Sequence, residues 1–258
     1  MTEQLILTEE RGAVGHVILN RPAKRNALSM EMLTDLVTAL RQYEEQPSIR
    51  AIVISGTERG FAAGADIGTL GSAGPIDLYT SGFSEKWDHV AAISKPIVAA
   101  ISSYALGGGL ELALTCDIIV ADMTAVLGLP ETAIGIIPGA GATQRLVRAV
   151  GKSMAMEMVL AGRRLDVEEA LRCGLVSSVA AEGEDVADKA HSIAEQIAQG
   201  GPLAVTMAKA AILESFETSL SAGIRYERTM SALISASADR KEGLEAFSQK
   251  RPPLFTGR

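Results

Sequence analysis

The chain has 258 residues, 47% of them hydrophobic and 21% charged, which is enough apolar mass for one sizeable core and excludes wholesale disorder. A net charge of −7 argues against general nucleic-acid binding and means that an anionic ligand would need local basic groups. Cys116 and Cys173 are too few for a disulfide scaffold, and Met1 opens no charged-then-apolar leader or membrane-length apolar run, so a reducing cytosol is the expected setting.

Gly15–Leu19 predicts a strand, and Asn20-Arg21-Pro22 a turn. Ser29 then caps a helical pattern from Met30 to about Tyr43. Ala51–Ser55, Pro96–Ile101 and Asp117–Ala121 are short apolar runs of the kind buried in parallel sheets, and helical patterns alternate with them. This predicts right-handed βαβ units and a mostly parallel sheet. Gly68–Ser84 is rich in Gly, Ser and Pro and predicts a substrate-facing loop. After Gly141 the pattern turns helical, at Ala142–Val150, Ser153–Leu160, Val167–Arg172, Val186–Gln199, Leu203–Phe216 and a long Ile224–Lys250 stretch, with one further strand at Leu175–Val179. The expected organisation is an α/β core over 1–195 and a helical C-terminal region over 196–258.

The most informative run is Tyr104-Ala-Leu-Gly107-Gly108-Gly109-Leu110-Glu111. Three glycines open a helix whose first N–H groups are free and partially positive, and a carboxylate stands in its first turn. Glycine lets a ligand approach those groups, as an oxyanion hole requires. Close helix–strand packing explains such a run equally well when it is taken alone. Three more segments accompany it: Phe61-Ala-Ala-Gly64-Ala65-Asp66-Ile67, Leu127-Gly-Leu-Pro130-Glu131, and Gly135-Ile-Ile-Pro138-Gly139-Ala-Gly141. Each has a plain reading by itself, as a tight turn capped by Asp66, a helix-start Glu after Pro, and a turn before a helix.

In this order and spacing the four segments resemble the crotonase (enoyl-CoA hydratase/isomerase) superfamily, from about Val17 to Phe255. The likeness is nearest to the enoyl-CoA hydratases, through FAAGADI at Phe61, WDH at Trp87, YALGGGLELA at Tyr104, CDII at Cys116, IPGAGATQRL at Ile137 and GKSMAMEMVL at Gly151. The resemblance implies the crotonase (ClpP/crotonase-like) α/β fold, repeated ββα units in a spiral core, with a C-terminal helical trimerisation region giving a homotrimer or a hexamer that is a dimer of trimers.

It also implies an oxyanion hole from the N–H groups of Ala65 and Gly108, and hydration of an enoyl-CoA by Glu111 and Glu131 around one water. Glu111, near the positive helix end, would be the ionised base. Glu131, after Leu127, Leu129 and Pro130, would have a raised pKa and serve as the acid. For the CoA moiety the resemblance implies Ala23, Lys24, Arg25, Ala63, Asp66 and Ile67, with Phe247 and Lys250 reaching a neighbouring subunit's CoA. Ala23-Lys24-Arg25 departs from the family's usual Lys-Ala-Leu before Asn26-Ala27-Leu28, so its basic group is displaced, and Ser103 replaces a usual glycine. Residues 240–258 hold five bases against two acids, a local excess suited to phosphate.

No metal or redox cofactor is implied, since CoA arrives with the substrate. His16, His89 and His191 are scattered and show no metal-ligand spacing. An isomerase or dual-activity relative, and an acyl-CoA-binding relative without turnover, are the alternatives; two retained glutamates favour the hydratase.

Overall fold

The computed structural model describes residues 4–66, 68, 74–80 and 82–258. Its main sheet runs β1 (Ile6–Arg11), β2 (Val14–Leu19), β3 (Ala51–Ser55), β4 (Ile97–Ile101), β6 (Ile118–Ala121) and β9 (Ser178–Val179) in that spatial order. Every neighbouring pair is parallel except the β1–β2 hairpin. A second sheet joins β5 (Tyr104–Leu106), β7 (Val126–Gly128) and β8 (Arg164–Asp166).

Alternation along β3 explains why it is buried throughout. Ile52 and Ile54 face the main core with α1 (Met30–Glu45), whereas Ala51 and Val53 face a second core under α7 (Val186–Ala198). Ser29 caps α1 as expected, its side chain accepting from Met32 N–H at 3.2 Å.

Between β3 and β4 lie α2 (Pro75–Thr80) and α3 (Phe83–Ala91). The Gly68–Ser84 loop expectation is therefore corrected: Pro75, with φ pre-set for a first helical turn, opens a helix inside that segment. The glycine run opens α4 (Gly108–Thr115). α5 (Ala142–Leu160) is two helices joined at Gly151, whose φ of 75° and ψ of 167° break it where two helices are expected.

α6 (Val167–Arg172) follows β8, and α7 runs through residue 195 and closes against β2, β3, β4 and β6. α8 (Pro202–Glu214) and α9 (Leu220–Ile234) then pack on each other, and α10 (Ala238–Gln249) follows. The single helix expected over Ile224–Lys250 is divided, because Ser237 accepts from Arg240 N–H at 3.0 Å and caps a new start. Among the described residues no helix is long and apolar enough to cross a membrane.

Candidate active site

Gly107 adopts φ 50° and ψ −127°, a conformation closed to residues with a side chain, and there the chain turns from β5 into α4. Its N–H donates to Gly128 O at 2.9 Å, and its carbonyl accepts the first helical bond from Glu111 N–H at 3.0 Å. Gly108 N–H is thus one of the unspent donors at the helix start.

The Phe61–Asp66 segment is laced on both sides. Leu106 N–H donates to Ala62 O, Ala63 N–H to Arg25 O, Leu28 N–H to Gly64 O and Asp66 N–H to Leu28 O. Extended backbone alternates its N–H direction, so between Gly64 and Asp66 the Ala65 N–H turns away from Leu28 and toward α4. A methyl group placed on Gly108 would come 3.0 Å from Ala65 N. The two expected oxyanion donors stand side by side. Gly109 has a separate reason to be glycine, since a Cβ there would strike the carbonyl of Ala62.

Both glutamates are buried, Glu111 at 4% exposure and Glu131 at 9%. Glu111 Oε1 accepts from Ala140 N–H at 2.7 Å and Ala142 N–H at 3.1 Å. Burial raises the pKa of this carboxyl, and the N–H groups of Ala142, Ala140 and Gly139 and the charge of Arg145 oppose that rise. The expectation that Glu111 sits simply in a field favouring its anion is corrected on two counts. Burial is the larger effect, and the donors that relieve it belong to the Gly139–Ala142 turn instead of Glu111's own helix.

Glu131 follows Leu127 and Leu129, both fully buried, and opens a short 3-10 turn over Glu131–Ile134 behind Pro130. Thr132 Oγ1 anchors that turn by donating to Val159 O at 3.0 Å. Burial pushes the Glu131 carboxyl up to about 7, with the charge of Glu111 adding to the rise. Oε2 of Glu131 is buried and finds no hydrogen-bond partner among the described residues, while Oε1 lies 3.0 Å from where a Cβ on Gly107 would sit. The site thus joins two unspent donors to two carboxyls whose surroundings press on them differently.

The expected CoA-binding residues are dispersed in role. Ala23, Lys24 and Arg25 are exposed on the loop after β2, with Arg25 at φ 52°. Asp66 is occupied by Arg21, at 2.6 Å, which holds its carboxyl below the usual carboxylate range, and it also accepts from Gly68 N–H. Ala63 is half-buried beside that loop. Phe247 is 86% exposed on α10, and exposed Lys250 ends that helix in left-handed backbone. Ile67 lies outside the described residues. Of the C-terminal bases, Arg251 is paired bidentately with Glu242, so the local positive excess rests on the others.

Two features of the site, and one contact on the other face of the main sheet, escaped the sequence. Asn26, buried at φ 53°, donates to both Gly60 O and Phe61 O at 2.9 Å and accepts from Arg21 N–H, so it aligns the segment leading to Ala65. Its signal is Asn in a turn, one of the few side chains suited to left-handed backbone. The Gly139–Ala142 turn, legible only as a helix entry, is the seat of Glu111. His16 and His191 are far apart in sequence yet meet at 3.0 Å between β2 and α7. Among the described residues no group of three or more His, Cys, Asp or Glu is placed to hold a metal ion.

Comparison with known proteins gives the family. The sequence profile of the enoyl-CoA hydratase/isomerase family matches residues 9–258. A probable enoyl-CoA hydratase of Mycobacterium bovis is 43% identical over 258 residues, covering all of both chains. A probable mitochondrial enoyl-CoA hydratase of Dictyostelium discoideum is 46% identical over 248 residues, covering 96% of this chain and 89% of the other. The crystal structure of enoyl-CoA hydratase from Bacillus anthracis superposes with a TM-score of 0.93 at 37% identity, covering 99% of this chain and 100% of that one. A profile match across nearly the whole chain, on a fold that sets Ala65 and Gly108 side by side, places this protein in the enoyl-CoA hydratase/isomerase family.

Proposed function

We propose that this protein is an enoyl-CoA hydratase that adds water syn across the C2–C3 double bond of a 2-trans-enoyl-CoA, giving a 3-hydroxyacyl-CoA in fatty-acid β-oxidation. The observation that carries the reading is the pairing of two buried, electrostatically coupled glutamates beside two adjacent unspent N–H groups. The thioester oxygen accepts from Ala65 N–H and Gly108 N–H. As water adds to C3, negative charge collects on that oxygen, and each preorganised donor is worth on the order of 3 kcal/mol there. Glu111, with Oε1 held by the Gly139–Ala142 turn, takes a proton from water through its other oxygen. Glu131, which burial keeps protonated toward neutral pH, delivers a proton to C2. Water is consumed whole, and the two carboxyls exchange protonation states. The proposed sequence forms a C3–O and a C2–H bond at the expense of the double bond, with the protons passing through the two carboxyls, and calls on no cofactor beyond the CoA carried by the substrate.

The CoA moiety is assigned to the exposed loop carrying Ala23, Lys24 and Arg25, with Ala63 and Asp66 beside it; Ile67, outside the described residues, is assigned to the same ligand. Phe247 and Lys250 complete the site from a neighbouring subunit of a trimer, or of a hexamer built from two trimers. Exposed apolar side chains on α8 and α9, neither of which buries a residue within the chain, support an assembly through these helices.

The test is loss of the enoyl-thioester absorbance with C4, C8 and C16 substrates, run on wild type, Glu111→Gln and Glu131→Gln, with a 3-enoyl-CoA alongside. Hydration is expected for wild type, with a drop of about 100-fold or more in each variant. Near-normal hydration by Glu131→Gln would overturn the division of roles. Conversion of the 3-enoyl substrate without hydration would make the protein an isomerase, and tight binding without turnover would make it a carrier.

A further inference from the structure

Arg145 stands in the first turn of α5, and its N–H donates to Gly141 O at 2.9 Å as that helix begins. Its side chain does not leave for solvent. Nη1 doubles back and donates to Ala140 O at 3.1 Å. Gly141, at φ 104°, is where it passes: a Cβ at that position would collide with Nη1. The peptide groups flanking Ala140 are therefore held from two sides. The Ala140 carbonyl is bound by the guanidinium, and the N–H groups of Ala140 and Ala142 are spent on Glu111 Oε1. Arg145 has no carboxylate within ion-pair distance among the described residues, so its charge is not already neutralised by an acidic neighbour.

From these contacts we propose that Arg145 is a positioning residue for hydration: it locks the Gly139–Ala142 turn onto Glu111 and supplies the positive charge that keeps that carboxylate ready to accept a proton. The inference rests on the reading of Glu111 as the base. A guanidinium suits the task better than an ammonium because its planar, fixed array of donors can hold a carbonyl while keeping its charge at every working pH. The charged and titratable groups brought by the surrounding elements are Arg145, Arg148, Lys152 and Glu157 from α5, Glu131 from the 3-10 turn, Glu85, Lys86, Asp88 and His89 from α3, and the Tyr104 hydroxyl from β5. Of these, Arg145 is the charge that lowers the pKa of Glu111 against the rise imposed by burial.

The experiment compares wild type, Arg145→Gln, Arg145→Lys, Glu111→Gln and the double variant Arg145→Gln/Glu111→Gln, following kcat, KM and the pH profile of kcat/KM with crotonyl-CoA, and thermal melts in parallel. Removing the positive charge raises the pKa of Glu111, so the acid limb in Arg145→Gln moves to higher pH. We expect a shift of about one unit and, because the turn that positions Glu111 loosens, a plateau kcat about tenfold lower with KM little changed. Arg145→Lys, which keeps the charge, restores the limb at least in part, and it carries the test if Arg145→Gln melts too early to assay. In the Glu111→Gln background the second substitution adds little, because the carboxylate it serves is gone. A folded Arg145→Gln with the wild-type acid limb and kcat overturns the proposal while leaving Glu111 as base. An equal loss of kcat in both backgrounds overturns it too, as a general structural effect. A Glu111→Gln variant with near-normal turnover overturns the reading of the base and this inference with it.

Discussion

Gly108 and Glu131 carry the sharpest expectations at the scale of single residues. Gly108 keeps helical backbone, so alanine fits its conformation, yet the added methyl would sit 3.0 Å from Ala65 N, where the thioester oxygen is proposed to bind. Gly108→Ala is therefore expected to fold with a modestly lower melting temperature, as the Gly64–Ala65 backbone gives way, and to lose about 100-fold or more of kcat. Circular-dichroism melts beside the hydration assay check this; retained turnover would place the oxyanion hole elsewhere. Glu131 makes a stability prediction. Its carboxyl is raised from 4.5 to about 7, chiefly by burial, so between those values the folded protein holds a proton that the unfolded chain has released. Its contribution therefore falls as pH rises across that window and is lost above about 7. Glutamine stays neutral throughout. The melting temperature of Glu131→Gln minus that of wild type should be more positive at pH 8 than at pH 5, the mark of a site that spends stability on chemistry.

Elements differ in how plainly the sequence announces them. α1, β3 and β4 are legible because periodicity, a Ser29 cap and fully buried apolar runs all agree. β1 is not, because it is an edge strand with only Ile6 buried, Leu7 half-buried and a polar Thr-Glu-Glu-Arg end. The second sheet is hidden for another reason: β5, β7 and β8 are three residues each, shorter than any run that periodicity can register. The same limit applies to β9, where two residues pair out of the five expected over Leu175–Val179. The two glutamates and two oxyanion donors are legible from motif order, but the seat of Glu111 is not, since hydrogen bonds from Ala140 and Ala142 cross about thirty positions of sequence. The His16–His191 contact is equally non-local. It pins α7 to β2 through a 3.0 Å bond between stacked rings. Burial, followed by the charges of Arg11 and His191, lowers His16 to about 4, with Glu9 and Asp188 opposing. The unfolded chain thus binds a proton near pH 6.5 that the folded protein refuses until about 4, and His16 makes the fold lose stability as pH falls across that range. In urea melts at pH 7 and pH 5, His16→Gln should lose less stability on acidification than wild type does. An equal loss in both would put acid sensitivity elsewhere.

At the scale of the whole molecule, the C-terminal helices look unfinished in a single chain. α8 and α9 pack on each other and bury nothing fully, while Ile212, Phe216, Leu220 and Leu233 stay exposed, Leu220 at 83%. The tail after α10 is, by contrast, firmly tied. Asp239 accepts from Thr256 N–H and Gly257 N–H, Glu242 pairs with Arg251, and Arg50 donates to Phe255 O. Contiguous exposed apolar side chains are the kind of surface that a partner covers, in keeping with the proposed assembly. If three or six copies of the 27.0 kDa chain assemble through it, sedimentation should give a mass that is a multiple of three chains. Replacing Leu220 and Leu233 with glutamate should then release monomers, because burying a charge without a partner costs more than such a contact returns. The kinetics of those monomers separate two roles for the interface. Glu111, Glu131, Ala65 and Gly108 all belong to one chain, so a folded monomer keeps the reacting groups and should retain much of its kcat. Phe247 and Lys250 are proposed to meet a neighbour's CoA, so the same monomer should show a raised KM for acyl-CoA. A monomer with unchanged KM would mean that each chain binds its CoA alone, and Phe247, exposed at 86%, would then serve assembly instead of substrate.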